Sequence, residues 1–203
     1  MRSGASLTMT QNAGTVWTIG HSTRSLEEFL ELLALHQIKL IADIRRFPGS
    51  RKYPHFGADA LRGSLGSVGI SYVHFPELGG RRRPRPDSHN EEWRNQAFRG
   101  YADYMETSEF RSGIERLTKF ARAQRTVLLC SEAVWWRCHR SLVSDYLKAH
   151  GFKVQHILSA TKTEVHPYTT AAQIEDRMLT YHATPLSVPA RYATFLEVQH
   201  DSN

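Results

Sequence analysis

The 203-residue sequence reads as an α/β protein, a three-layer sandwich around a mainly parallel sheet of about five strands. Three observations carry this reading. Short apolar runs alternate with amphipathic stretches of helical period, and the alternation repeats about four times, which is the pattern of βαβ crossovers. Helix punctuation falls between the runs. The polar residues with catalytic chemistry fall after the runs rather than within them, as they do where ligands bind at the carboxyl ends of parallel strands.

The elements follow in order. Residues 1–14 are small and polar without periodicity and are expected to form a disordered leader. Val16-Trp17-Thr18-Ile19 is a strand running into Gly20-His21-Ser22. Ser25-Leu26-Glu27-Glu28 is a capping-box signature, and Phe29, Leu30, Leu32 and Leu33 keep helical spacing to about His36. Leu40 to Ile44 is the second strand. A helix is expected over Ala58 to about Leu65, and a third strand over Ser71 to Phe75. Residues 77 to about 95, with Gly79-Gly80, two prolines and the arginines of 81–85, read as a long loop, and the basic run as a solvated, mobile part of it. A helical region from about Asn95 to Ala123 breaks near Thr107-Ser108. Thr126 to Cys130 is the most strand-like run, Arg140 to His150 is helical with Gly151 as its stop, and Lys153 to Leu158 is a fifth strand. Beyond 159 the pattern weakens, with a helix expected over Ala171–Tyr181. A single domain is thus expected over 15–182, followed by an irregular tail at 183–203. The architecture is of the Rossmann-like or flavodoxin-like kind.

Composition excludes several function classes. With 40% hydrophobic residues and no long uninterrupted apolar run, the chain is neither disordered nor membrane-spanning, and a soluble, cytoplasmic protein is expected. Two cysteines give no disulfide framework. The positive charge is held by 20 Arg against 6 Lys. Arginine grips phosphate or carboxylate bidentately, although the codon usage of a GC-rich genome produces the same total, so position decides. Arg24, Arg45, Arg46, Arg51, Arg81, Arg82, Arg83, Arg137 and Arg140 all fall after strands, on one edge.

The richest stretch is Cys130-Ser131-Glu132 through Cys138-His139-Arg140. A thiol at a strand end, followed by a loop and an Arg at a helix start, binds anions and lowers a thiol pKa; a small buried apolar Cys130 is the plainer alternative. Cys138 and His139, being adjacent, are expected to point in different directions and to make poor joint ligands, so neither metal nor cofactor is expected. Strand alternation puts Asp43 and Arg45 on one face and Arg46 on the other. His21 is a candidate base or anion contact. Trp135 and Trp136 either stack on a base or shield the site.

At these residues the chain resembles the domain-of-unknown-function family number 488. The resemblance rests on Thr18-Ile19-Gly20-His21-Ser22, Asp43-Ile44-Arg45 with Pro48 and Ser50-Arg51, Gly69-Ile70-Ser71-Tyr72, and Leu78-Gly79-Gly80. It continues through Tyr101-Ala102-Asp103-Tyr104-Met105, Leu129-Cys130-Ser131-Glu132, Cys138-His139-Arg140 and His156-Ile157. It implies an α/β sandwich and carries no settled activity. Over Thr126–Val154 the chain is more distantly similar to rhodanese-like and Cys-phosphatase domains. Those phosphatases place five residues between Cys and Arg, whereas here Trp136 stands at that position and Arg137 one later.

The expected function is an anion-binding site at the carboxyl edge of the sheet, taking a nucleotide or a nucleic-acid phosphate. Glu132, His21 and Cys130 are the catalytic candidates, and Ser22, Arg45, Arg46, Ser50, Cys138, His139 and Arg140 the anion contacts. A Cys130-dependent thiol enzyme, sulfurtransferase-like or phosphatase-like, and a non-enzymatic nucleic-acid-binding module are the alternatives. The partner is an anionic small molecule or a nucleic acid, not a membrane.

Overall fold

A computed structural model describes residues 14–49, 51–175 and 178–182. The leader expected at 1–14, apart from Gly14, the tail expected at 183–203, and Ser50 lie outside the described residues.

Five parallel strands form the body of the sheet: β1 (Thr15–Gly20), β2 (Leu40–Asp43), β3 (Ser71–His74), β4 (Thr126–Cys130) and β5 (Lys153–Ile157). A short antiparallel strand, β6 (Thr163–Val165), extends the edge, and the order is β3-β2-β4-β1-β5-β6. Alternation on the strands divides the core in two. Trp17, Ile19, Ile41, Val127 and Leu129 face α1 (Leu26–Leu35) and α2 (Ala58–Ser67). Val16, Ala42, Leu128, Cys130 and Val154 face α3 (Gln96–Met105), α4 (Ser108–Ala123) and α5 (Arg140–Ala149). Helices on both faces complete the three layers.

Local chemistry sets the helix limits. The Ser25 hydroxyl accepts the Glu28 N–H while the Glu28 carboxylate accepts the Ser25 N–H, the capping box legible in the sequence. Thr107 caps α4 at the predicted break. No described helix is long and apolar enough to cross a membrane.

Two regions differ from the sequence reading. Ala171–Tyr181 is not a helix but carries a two-stranded hairpin, β7 (Gln173–Glu175) with β8 (Met178–Thr180). Its end is held by a buried polar chain. Thr18 Oγ1 lies 2.7 Å from His156 Nδ1, His156 Nε2 lies 2.9 Å from His166 Nδ1, and His166 Nε2–H donates to Asp145 Oδ1 at 2.9 Å. Asp145 also accepts the hydroxyls of Thr169 at 2.6 Å and Tyr181 at 3.0 Å. A helix over these residues would take Tyr181 away from that carboxylate.

The second difference is the basic loop, which is tied down rather than free. The buried Asp103 carboxylate accepts the Arg85 N–H (2.7 Å), the Ser88 hydroxyl (2.6 Å) and the Asn90 amide (2.8 Å). Burial pushes its pKa up, but these donors outweigh burial and hold it below the usual carboxylate value. The Arg82 guanidinium lies 3.5 Å from the Tyr104 ring centroid, and Arg85 pairs with Glu106 at 2.6 Å. Tyr101 and Tyr104 donate their hydroxyls to the carbonyls of Leu78 and Glu77. Asp103→Ala takes the acceptor from three donors, two of them buried, and is expected to cost about 2–4 kcal/mol. Urea unfolding measures this, and a loss under 1 kcal/mol would mean that the loop is anchored elsewhere.

Candidate functional site

The carboxyl ends of β1, β2 and β4 lie side by side, and the loops that leave them build the site. Past the last residues of β1, the chain keeps pairing with the loop after β4: His21 N–H donates to Cys130 O and Ser22 N–H to Ser131 O, both at 2.9 Å. Ser22 takes a left-handed backbone, φ +52°, to turn away. The two loops touch so closely at Gly20 that any side chain there would overlap the Glu132 carbonyl. Arg24 donates to the carbonyls of Gly20 and Leu158 and clamps the same corner.

After β4 the chain makes a short 3-10 turn, Trp135–Arg137, and enters α5. Cys130, at the strand end, Cys138, just before the helix, and His139, at its cap, converge. Cys130 Sγ is 3.9 Å and Cys138 Sγ 3.7 Å from His139 Nδ1. The expectation that Cys138 and His139 diverge is therefore corrected. Neighbours alternate only along an extended chain, and here Cys138 is extended (φ −130°, ψ 144°) while His139 is helical (φ −56°, ψ −15°). His139 Nε2 lies 3.1 Å from Ile44 O, which accepts only, so Nε2 carries a proton; on the neutral ring this leaves the Nδ1 lone pair facing the sulfurs. The ring packs against Gly80, where a Cβ would stand 2.7 Å from Nδ1, and against Tyr101 at 5.0 Å between centroids.

The two thiols titrate in opposite directions. The hydrogen bond from Cys138, together with the charges of His139 and Arg140, holds the Cys130 thiol well below its ordinary pKa despite burial. Burial and the neighbouring Cys130 push Cys138 up. Arg140 is itself 1% exposed. Its guanidinium donates to the carbonyls of Glu132 (2.8 Å) and Ala133 (3.2 Å), and its backbone N–H to Cys138 Sγ (3.5 Å).

The β2 end supplies the opposite wall. Arg45 is held by Asp43, with Nε at 2.9 Å from Oδ1 and Nη2 at 2.5 Å from Oδ2, and it also donates to Phe56 O at 2.8 Å. Tyr72 donates to the same carboxylate at 2.6 Å. His21 stacks on Phe56 at 4.3 Å; burial and then the Arg45 charge lower its pKa, which keeps it neutral.

Between the walls opens a cleft of about 750 Å³ with Cys130, Cys138 and His139 at its floor. Its sides carry Arg45, Arg46, Lys52, Arg81 and Arg137, and among the described residues Glu132 is the one carboxylate that lines it. Phe47, Tyr53 and Phe98 add aromatic surface.

The sequence model described as "Domain of unknown function DUF488" matches residues 25–147, more than half of the chain. The chain belongs to the DUF488 family. No curated protein and no solved structure matches it.

Within the DUF488 domain, the motif residues on which the resemblance rested take definite structural places. Gly20, Gly79 and Gly80 stand where backbone or ring atoms approach too closely for a side chain, and Tyr101, Asp103 and Tyr104 fasten the loop that carries Gly80 and Arg81. Of the residues singled out from the sequence, His21, Ser22, Arg45, Arg46, Cys130 and Glu132 line the cleft, as do Cys138 and His139. Arg140 lies behind it, spent on loop carbonyls, and Ser50 lies outside the described residues. Among the cleft-lining residues that sequence reasoning left out of the site are Arg81, Arg137, Lys52, Phe47 and Phe98. Arg81 and Arg137 were marked only by falling after strands; the signal that would have placed Arg81 is Gly79-Gly80, which lets its loop close over the sheet edge.

Proposed function

We propose that this cleft binds the phosphate of a nucleotide-sized ligand. One observation carries the reading: five cationic side chains line the cleft against a single carboxylate among the described residues, and the guanidinium groups of Arg81 and Arg137 have no partner among those residues. Arg45 is already committed to Asp43 and acts as a fixed wall, whereas Arg81, Arg137 and the exposed Arg46 have donors to offer. With Arg45 compensated by Asp43, four positive charges around the cleft repel one another, and an anion relieves that repulsion. The volume is that of a small-molecule site, and Phe47 and Phe98 supply faces on which a base stacks. His21 donates Nδ1–H to Ser22 O at 3.0 Å, so its Nε2 is left as the proton acceptor, and Glu132 is the second acid–base group.

Calorimetric titration with a nucleoside 5′-monophosphate and with inorganic phosphate tests this. Both are expected to bind, the nucleotide more tightly. Arg81→Ala and Arg137→Ala should each weaken binding by about tenfold or more, the worth of a charge-assisted hydrogen bond. Arg62→Ala, in α2, outside the cleft lining and paired with Asp59, should bind as the parent does. Equal binding by all variants would remove the reading. Much tighter binding of polynucleotide, with a steep salt dependence, would replace the nucleotide with a nucleic acid.

A further inference from the structure

We propose that Cys130, Cys138 and His139 form a binding site for a zinc-class divalent cation, with three protein ligands and a fourth position open to the cleft. This goes beyond the anion reading and does not depend on it.

The geometry is that of a ligand set. Zinc bonds of about 2.3 Å to sulfur and about 2.0–2.1 Å to nitrogen, at a tetrahedral angle, separate the two donors by about 3.6 Å. The sulfur-to-nitrogen separations here are 3.7 and 3.9 Å, and the three donor atoms all lie within 4.8 Å of one another. An ion would draw each sulfur toward the nitrogen by at most a few tenths of an ångström, within the reach of small side-chain rotations.

The surroundings are those that prepare ligands. His139 already presents the correct nitrogen: Nε2–H is engaged by Ile44 O, the outer-shell carbonyl contact typical of a metal-bound imidazole. Gly80 and Tyr101 fix the plane of the ring. Cys138 receives the Arg140 N–H at 3.5 Å, which fixes the sulfur at the helix start. Two thiolates and an imidazole are soft to borderline donors, which select zinc-like ions over magnesium or calcium. Binding displaces the thiol protons to solvent. Three protein ligands with a fourth position toward a cationic cleft is the open arrangement in which a water or an anion completes the coordination.

The test uses the full chain under reductant in phosphate-free buffer, with cobalt(II) as the spectroscopic stand-in for zinc. One equivalent is expected to bind, giving near-ultraviolet sulfur-to-cobalt charge-transfer absorption and visible bands of tetrahedral intensity, both abolished by one equivalent of zinc. Cys130→Ser and Cys138→Ser should each reduce the charge-transfer band and weaken binding by about 100-fold, with circular dichroism verifying the fold. A second readout uses the unaltered protein: zinc should slow modification of both thiols by a disulfide reagent. No charge-transfer band, or thiols that react equally with and without zinc, would overturn the proposal, and a band undiminished in either Ser variant would too. Neither readout involves Arg81 or Arg137, and the nucleotide titration is run without metal, so each reading fails separately.

Discussion

Gly20→Ala is expected to destabilise the domain by about 3–5 kcal/mol and to dismantle the floor of the cleft. A Cβ on this residue would lie 1.8 Å from the Glu132 carbonyl oxygen and 2.6 Å from its carbon. Both are backbone atoms, so no rotamer change relieves the overlap. The loop after β4 would have to move away, taking from the buried Arg140 the two carbonyls, of Glu132 and Ala133, to which it donates. Overpacking in a well-packed interior ordinarily costs about 1–3 kcal/mol, and a buried charge left unpaired adds to it. Gly63→Ala is the control. Gly63 lies in α2, and a Cβ there meets nothing within 4 Å, so helix propensity predicts a gain of about 0.5–1 kcal/mol. Urea unfolding of both variants reads opposite signs. A Gly20→Ala protein as stable as the parent would mean that the two loops are not packed as described.

Acidification is expected to destabilise the protein before its carboxylates titrate, and His156 is the reason. It is buried, hydrogen-bonds to His166 and Thr18, faces Glu164 across the β5–β6 ladder and stacks on Trp135 at 4.6 Å. Burial first, then the charges of His166 and Arg140, push its pKa down to about 2. Unfolded, it titrates near 6.5. The unfolded chain therefore binds the extra proton, and stability falls as pH drops below about 6.5, by up to about 1.4 kcal/mol per pH unit. At pH 4.5 the loss from this group alone is about 2.7 kcal/mol. The slope between pH 6.5 and 5, above the carboxylate range, is the diagnostic window. His156→Asn is less stable at neutral pH, but its slope there should be shallower by about that per-unit amount; equal slopes would assign the acid sensitivity to other groups. His21 and His36, also lowered chiefly by burial, remain in both proteins and supply the residual slope.

Much of the frame was legible because it rests on local signals. The Ser25–Glu28 capping box, Thr107 before α4 and the apolar run 126–130 each declare themselves within a few residues. The gathering of polar groups on one edge followed from the parallel sheet. What escaped depended on contacts between distant segments. Arg140 at a helix start looks like a surface anion contact, and only the carbonyls of residues 132 and 133 folding over it make it an internal one. The convergence of Cys138 with His139 required a change of backbone conformation between neighbours, which residue types do not announce. Arg82 and Arg85 seemed free because Tyr104 and Glu106, which hold them, come some twenty residues later. The strands β6, β7 and β8 have three residues each, too few to show a period.

The strand order has a consequence for the birth of the molecule. β1 begins at Thr15, yet its two neighbours in the sheet are β4 and β5, so Val16 finds its partners only at Thr126 and Val154. β2 likewise waits for β4 on one side. On the ribosome more than a hundred residues must emerge before the first strand has any edge to join. β4 closes that gap, and it is the strand that ends in Cys130. The segment that seals the nascent sheet thus also delivers the thiol, so the chain carries no assembled chemistry until its centre has shut.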